Sequence, residues 1–126
     1  MSTTKKCVLD VGNCGPDHSS IRTMLQNTFA VEVRQADATA DAIAMLEKQP
    51  VDLILVNRKL DVDYSDGIDV VRAIKADDRF ASIPIMLVTN LEEHQEAAVA
   101  IGAERGFGKL ALRDPKTHER LRRFLA

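Results

Sequence analysis

Short apolar runs alternate along the whole chain with stretches whose apolar positions recur at helical spacing. That alternation predicts an α/β fold: a doubly wound five-stranded parallel sheet flanked by five helices. The run KKCVLDV at 5–11 reads as a first strand and breaks in GNCGPD, a cluster of turn-favouring residues. A helix beginning near Pro16 or Asp17 carries Ile21, Met24, Leu25 and Phe29 on one face. VEVRQA at 31–36 alternates apolar with charged positions, as a partly exposed edge strand does, and Asp37 or Thr39 can cap the helix that runs to Pro50. VDLILV at 51–56 is continuous and apolar, the mark of a central strand buried on both faces. After the polar connection NRKLDVDYSDG, a helix with Ile68, Val71 and Ile74 follows, then SIPIMLVTN as a fourth strand with Pro84 near its start. Leu91–Ile101 reads as a helix closed by Gly102, Arg105–Lys109 as a weak fifth strand, and Pro115–Leu125 as the last helix. No internal repeat or linker interrupts the pattern, so residues 1–126 are expected to form one domain.

Composition adds exclusions. With 45% hydrophobic and 29% charged residues among 126, a packed core is within reach and disorder is not indicated. The formal net charge of −2 supplies no basic field, so neither nucleic acid nor an anionic membrane is an expected primary partner. No run approaches the roughly 18 apolar residues of a membrane span. Met1–Lys6 is polar and leaves no room for a signal-peptide core, so the chain reads as cytoplasmic. Cys7 and Cys14 lack the companions of a zinc site; Cys7 is expected to pack as a small buried hydrophobe and Cys14 to be accessible in its Gly-rich loop. The closing stretch RDPKTHERLRRFLA holds five Arg or Lys against two acids. Those cations either answer the helix dipole or form a docking face for an acidic partner.

Open parallel sheets bind ligands beyond the carboxyl ends of their strands, which here gathers Gly12, Asn13, Asn57, Arg58, Thr89, Asn90 and Lys109 at one end. The motifs VLDVGN, VDLILVN, DGIDVVRAIK, IPIMLVT and GAERGFGK, in that order, resemble a response regulator receiver domain, the phosphoacceptor module of two-component signalling. The resemblance implies Mg²⁺-holding acids at Gly12 and Asn13, a phosphoacceptor Asp at Asn57, a hydroxyl residue at Thr89 and a Lys at Lys109. Only the last two are kept. Gly106 stands where the family has an aromatic switch residue, with Phe107 one place off, and Leu110 replaces the proline after the Lys. The connection after Asn57 is also longer than the family pattern and lacks its proline.

A carboxamide cannot serve as the anionic nucleophile of an acyl phosphate, and neutral residues in place of three carboxylates remove the charge that overcomes Mg²⁺ dehydration. No metal and no cofactor are therefore expected, and the pocket changes sign. With Lys109 and Thr89 retained, it either prefers an anion or is inert, with Lys109 paired to Asp10 or another local carboxylate. Asp10 is an acid inside a buried strand and needs a partner. Period two sets it on the same face as Gly12.

Other constellations read as structure. GNCGPDHSS lacks phosphate-loop spacing, and His18, His94 and His118 are each expected to be solvated. Asp61, Asp63 and Asp66 lack the remaining positions of a calcium loop and read as turn residues. The expected function is a degenerate receiver domain, not an enzyme, which binds a protein partner or a second copy. The resemblance implies that it does so through the face of the fourth helix, fifth strand and fifth helix, Leu91–Ala126. The alternatives are a receiver phosphorylated on another acid such as Asp61 or Asp10, and a small-molecule or anion binder on the same scaffold.

Overall fold

The computed structural model describes residues 5–126. The polar start read from Met1 lies, up to residue 4, outside them. Five units follow in sequence: β1 (Lys6–Val11), α1 (Gly15–Thr28), β2 (Val31–Ala36), α2 (Thr39–Lys48), β3 (Leu53–Asn57), α3 (Gly67–Lys75), β4 (Ile85–Val88), α4 (Glu92–Ala100), β5 (Glu104–Phe107) and α5 (Pro115–Leu125). The strands are parallel in the order β2-β1-β3-β4-β5.

The pleat divides the core in two. Leu9, Val11, Ile54, Val56, Ile85 and Leu87 point to one face with Leu46 of α2 and Val70, Val71 and Ile74 of α3. Val8, Leu53, Leu55, Met86 and Val88 point to the other, against Ile21 and Leu25 of α1 and Leu121 and Leu125 of α5. Strand β3 is buried on both sides because its residues alternate between the two clusters, which is why its sequence is a continuous apolar run. β2 is an edge, as its mixed pattern foretold, and β5 is the opposite edge.

Several boundaries differ from the sequence reading. The fourth strand is confined to Ile85–Val88, the fifth ends at Phe107, and Lys109–Ala111 form a turn of 3₁₀ helix. Ala38, not Asp37 or Thr39, occupies the N-cap of α2; its amide and that of Asp37 are satisfied by the Asp41 carboxylate, one turn into the helix. Asp66 and Asp114 cap α3 and α5 by accepting from the amides of Ile68 and Lys116.

Candidate functional site

The connections leaving β1 and β3 depart to opposite faces of the sheet, one to α1 and the other to α3, and this reversal opens a crevice at their carboxyl ends. Gly12 and Asn57 stand there as expected. Asn57 is half-buried, and its Nδ2 donates to the carbonyl of Lys59 at 2.7 Å, so the amide serves the start of the following loop. Gly12 has φ +84°, a left-handed conformation that favours glycine. A Cβ at this residue would collide with Leu60 Cδ2 and lie 3.3 Å from Leu60 Cα.

Asn13 points to Asp10. It is buried, and its Nδ2 donates to Asp10 Oδ1 at 2.5 Å. Asp10 is fully buried, and its other oxygen shares a hydrogen bond of 2.7 Å with His18 Nδ1. Position 10 shares its pleat with Val8, which packs on the α1 side, so the acid meets the first turn of α1. Asp10 is paired, as its burial requires, but with His18 and not with Lys109. His18 is correspondingly buried and not solvated. Burial holds the Asp10 carboxyl above its ordinary range, opposed by its hydrogen bonds to His18 and Asn13.

Lys109 donates to Asp17 Oδ2 at 2.7 Å across the top of the crevice, so its partner is another local carboxylate and not Asp10. This contact holds the Asp17 carboxyl below its ordinary range. Asp17 also restores the neutrality that the four matched positions alone had lost, so the net positive pocket inferred from them is not what the fold builds. Thr89 is buried, and its Oγ1 accepts from the amide of Leu91 at 3.2 Å. The other histidines are engaged too: His94 Nε2 accepts from Arg58 Nε at 3.2 Å, and His118 Nε2 lies 2.8 Å from the carbonyl of Leu112. Asp63 accepts from Ser65 in the long loop, and Asp66 caps α3, so these two acids act as turn residues. Cys7 is buried, with its thiol pushed up to about 11 by burial, and Cys14 is half-buried; both are free.

Three positions that the fold engages are not legible in the sequence. Asp17 reads from the sequence only as a helix start. Leu60 is 2% exposed, and the signal for it was a lone apolar residue before a polar turn. Gln95 of α4 is buried at the far edge. Its Nε2 donates to the carbonyls of Leu87 at 3.0 Å and Thr89 at 3.2 Å, while its Oε1 accepts from the Gly106 amide at 2.8 Å. Gly106, the matched switch position, has no room for a side chain, since a Cβ would collide with the Leu87 carbonyl.

The residues of the crevice do not fit the divalent cation that the resemblance implies. Positions 13 and 57 offer at most neutral amide oxygens, their Nδ2 groups being bonded to Asp10 and to the Lys59 carbonyl, and residue 12 offers no side-chain ligand, whereas Mg²⁺ wants several oxygens, anionic ones among them, in near-octahedral array. Among the described residues, no group of three His, Cys, Asp or Glu side chains is placed to hold a metal.

The response regulator receiver domain family matches residues 16–110. The match begins after β1, so the positions of the family's paired acids fall outside it. Among solved structures, the chain is similar to the chemotaxis response regulator CheY4 of Vibrio cholerae, with 23% identity, TM-score 0.71, and coverage of 97% of this chain and 100% of that one. It is also similar to the signal receiver domain of a DNA binding response regulator protein from Colwellia psychrerythraea 34H, at 20% identity, TM-score 0.77 and coverage of 94% and 97%. A sensor protein from Polaromonas sp. JS666 superposes with TM-score 0.81 at 17% identity, covering 96% of each chain. No curated protein sequence matches significantly. Matched over well more than half its length and folded on the 2-1-3-4-5 sheet, the chain belongs to the response regulator receiver domain family of two-component signalling.

Proposed function

We propose that this receiver domain is degenerate: it takes no phosphoryl group, catalyses no reaction, and works in two-component signalling by binding a protein partner or a second copy of itself. The observation that carries the reading is Asn57 at the acceptor position, a neutral amide already hydrogen-bonded to the Lys59 carbonyl. Acyl phosphate formation needs an anionic oxygen to attack phosphorus and divalent charge to offset the incoming phosphoryl group. Position 57 supplies no such oxygen, and the Asp17 carboxylate across the crevice is paired with Lys109.

Two features support the face of α4, β5 and α5 as the docking surface. Leu91, Val99 and Leu110 are exposed on or beside it, Leu110 at 90%. Lys116, Arg120 and Arg123 recur along α5 at helical spacing, a cationic row that favours an acidic partner. Gln95 pins α4 to β4 and β5, which favours a surface of fixed shape.

Two of the alternatives, Asp10 as acceptor and a small-molecule site, draw less support. Asp10 is sealed in the core beside His18 and Asn13, out of reach of a phosphodonor. A groove of about 590 Å³ lies between α1 and the segment leading to α5, lined by Ser19, Thr23, Asn27 and Arg113, but Lys109 is not part of it and no aromatic wall closes it.

The test is to incubate the protein with Mg²⁺ and acetyl phosphate and measure its intact mass. An unchanged mass is expected, and a gain of one phosphoryl group overturns the proposal.

A further inference from the structure

Tyr64 is the only tyrosine of a chain without tryptophan, and it stands 76% exposed in the loop between β3 and α3, close to Val62 at 59%. The loop holds both out on a fixed frame. The Leu60 amide donates to Ser65 O at 2.9 Å, Tyr64 N to Leu60 O at 2.7 Å, and Gly67 N to Arg58 O at 2.7 Å, beside an antiparallel bridge between Lys59 and Asp66. The Asp61 amide donates to the Gly12 carbonyl at 2.9 Å, which ties the loop to the end of β1. Tyr64 is kept at φ +59°, a left-handed conformation unusual for a bulky residue, and such strain persists only where the surrounding structure over-determines it. From residue 60 to 66 the loop carries three acids and no cation. Asp63 is braced by Ser65 and Asp66 caps α3, while Asp61 is exposed.

A groove of opposite character lies on the face of α4, β5 and α5. It encloses about 350 Å³, and its lining includes Gln95, Gly106, Leu110, Lys116 and Arg120. Gly106 adds no side chain to fill it, and Leu110 is 90% exposed. The acids nearby are already engaged: Glu92 pairs with Arg105, and the Asp114 carboxylate accepts from the Lys116 amide. Among the described residues, the side chains of Lys116 and Arg120 form no ion pair, Arg120 donating instead to the Gly106 carbonyl at 3.4 Å. Tyr64 does not line the groove of its own chain, and β4 stands between the strand that leads to the loop and the strand beneath the groove.

We propose that the partner of this face is a second copy of the chain: the Tyr64 side chain of one copy enters the groove beside Gly106 of the next, and the acids next to it meet Lys116 and Arg120. Loop and groove are complementary in charge, which fixes the register of such a contact and suppresses wrong partners. A tyrosine brings a large, stiff surface with a polar tip, the kind of side chain that anchors interfaces. The loop is already ordered by its own backbone bonds, so little conformational freedom is lost on docking. Because the two patches lie at different places on the molecule, the contact is heterologous, and each copy offers both halves of it. The inference rests on the docking face proposed above and names what sits on it.

The experiment follows the whole chain by sedimentation velocity from about 10 µM to about 1 mM, the range of a weak contact of small area. In parallel, acrylamide quenching of tyrosine emission reports on Tyr64 alone, since the chain has no other tyrosine and no tryptophan. Average mass is expected to rise with concentration while quenching falls. Tyr64→Ala should weaken association at least about tenfold, and the charge reversals Asp61→Lys and Lys116→Glu at least about threefold each, with folding checked by circular dichroism. An equal mixture of the two reversals should associate like the parent, because the reversed loop of one then meets the reversed groove of the other. Quenching that does not change with concentration, variants that associate as well as the parent, or a mixture no better than its components overturns the proposal. A parent that stays monomeric overturns it too, yet leaves the face open to a different protein, so this inference and the docking reading fail separately.

Discussion

Replacing Gln95 tests how the outer edge of the sheet is held. Between β4 and β5 the register jumps, with Met86 opposite Glu104 but Val88 opposite Phe107, so Arg105 and Gly106 together face Leu87. Such an irregularity takes an amide out of the strand ladder, and the Gly106 N–H is satisfied by Gln95 Oε1 at 2.8 Å. Gln95→Ala leaves that buried donor without its acceptor and removes two donations to carbonyls. An orphaned buried group costs about 1–3 kcal/mol, and the small void left by the truncated side chain adds to this, so a loss of about 3 kcal/mol is expected. Urea unfolding should show a lower midpoint with an unchanged slope. Gln95→Glu provides the sharper arm. It keeps an acceptor for Gly106, but when ionised it turns an oxygen toward the carbonyls that Nε2 now approaches at 3.0 and 3.2 Å. The folded state then prefers the protonated acid, so its pKa is raised; relative to the unaltered protein, stability should hold at low pH and fall as pH rises above the ordinary Glu value of about 4.3. If Gln95→Ala stays within about 0.5 kcal/mol of the parent, or Gln95→Glu shows no pH dependence, the edge is held by something else.

Further expectations follow from the crevice and its surroundings. Asp10→Asn retains partners for Asn13 and His18 while deleting a buried ionisable group. Because burial raises the Asp10 carboxyl, the folded state disfavours its ionisation, and the variant should gain on the parent as pH rises above the ordinary Asp value of about 3.9; a loss above about 1 kcal/mol at neutral pH in thermal unfolding contradicts this. Asp17→Ala breaks a pair that is partly solvated on both sides, so it should cost less than about 1 kcal/mol. That contribution is present above the ordinary Asp value of about 3.9 and disappears as pH falls through the lowered one. The same change frees Lys109, so an amide chemical-shift titration with phosphate should move residues 89 and 109 in the variant and leave them still in the parent; the reverse pattern would mean that the Lys109–Asp17 pair does not guard the pocket. A thiol reagent at pH 8 should label Cys14 in the native protein and reach Cys7 only on unfolding, since Cys7 is buried with its thiol raised to about 11. Rapid labelling of both would show that β1 opens.

The order of elements and the two-faced sheet were legible from periodicity alone, because burying a strand on both sides demands a run such as LILV at 53–56 and burying a helix on one side demands a stripe such as Ile21, Met24 and Leu25. The chemistry at position 57 was legible as well, since an amide lacks a nucleophilic charge wherever the fold puts it. Choice of partner was not. Lys109 and Asp17 lie 92 positions apart and meet only because α1 and the end of β5 converge over one crevice, which left Asp10 to His18. Leu60 and Gln95 stand outside any apolar stripe, one in a loop without periodicity and one as a polar residue on a buried helix face. Periodicity reports which side of an element is covered, because it is a property of neighbours along the chain. Which distant side chain does the covering depends on where the backbone crosses itself, and that is decided only when the sheet has formed.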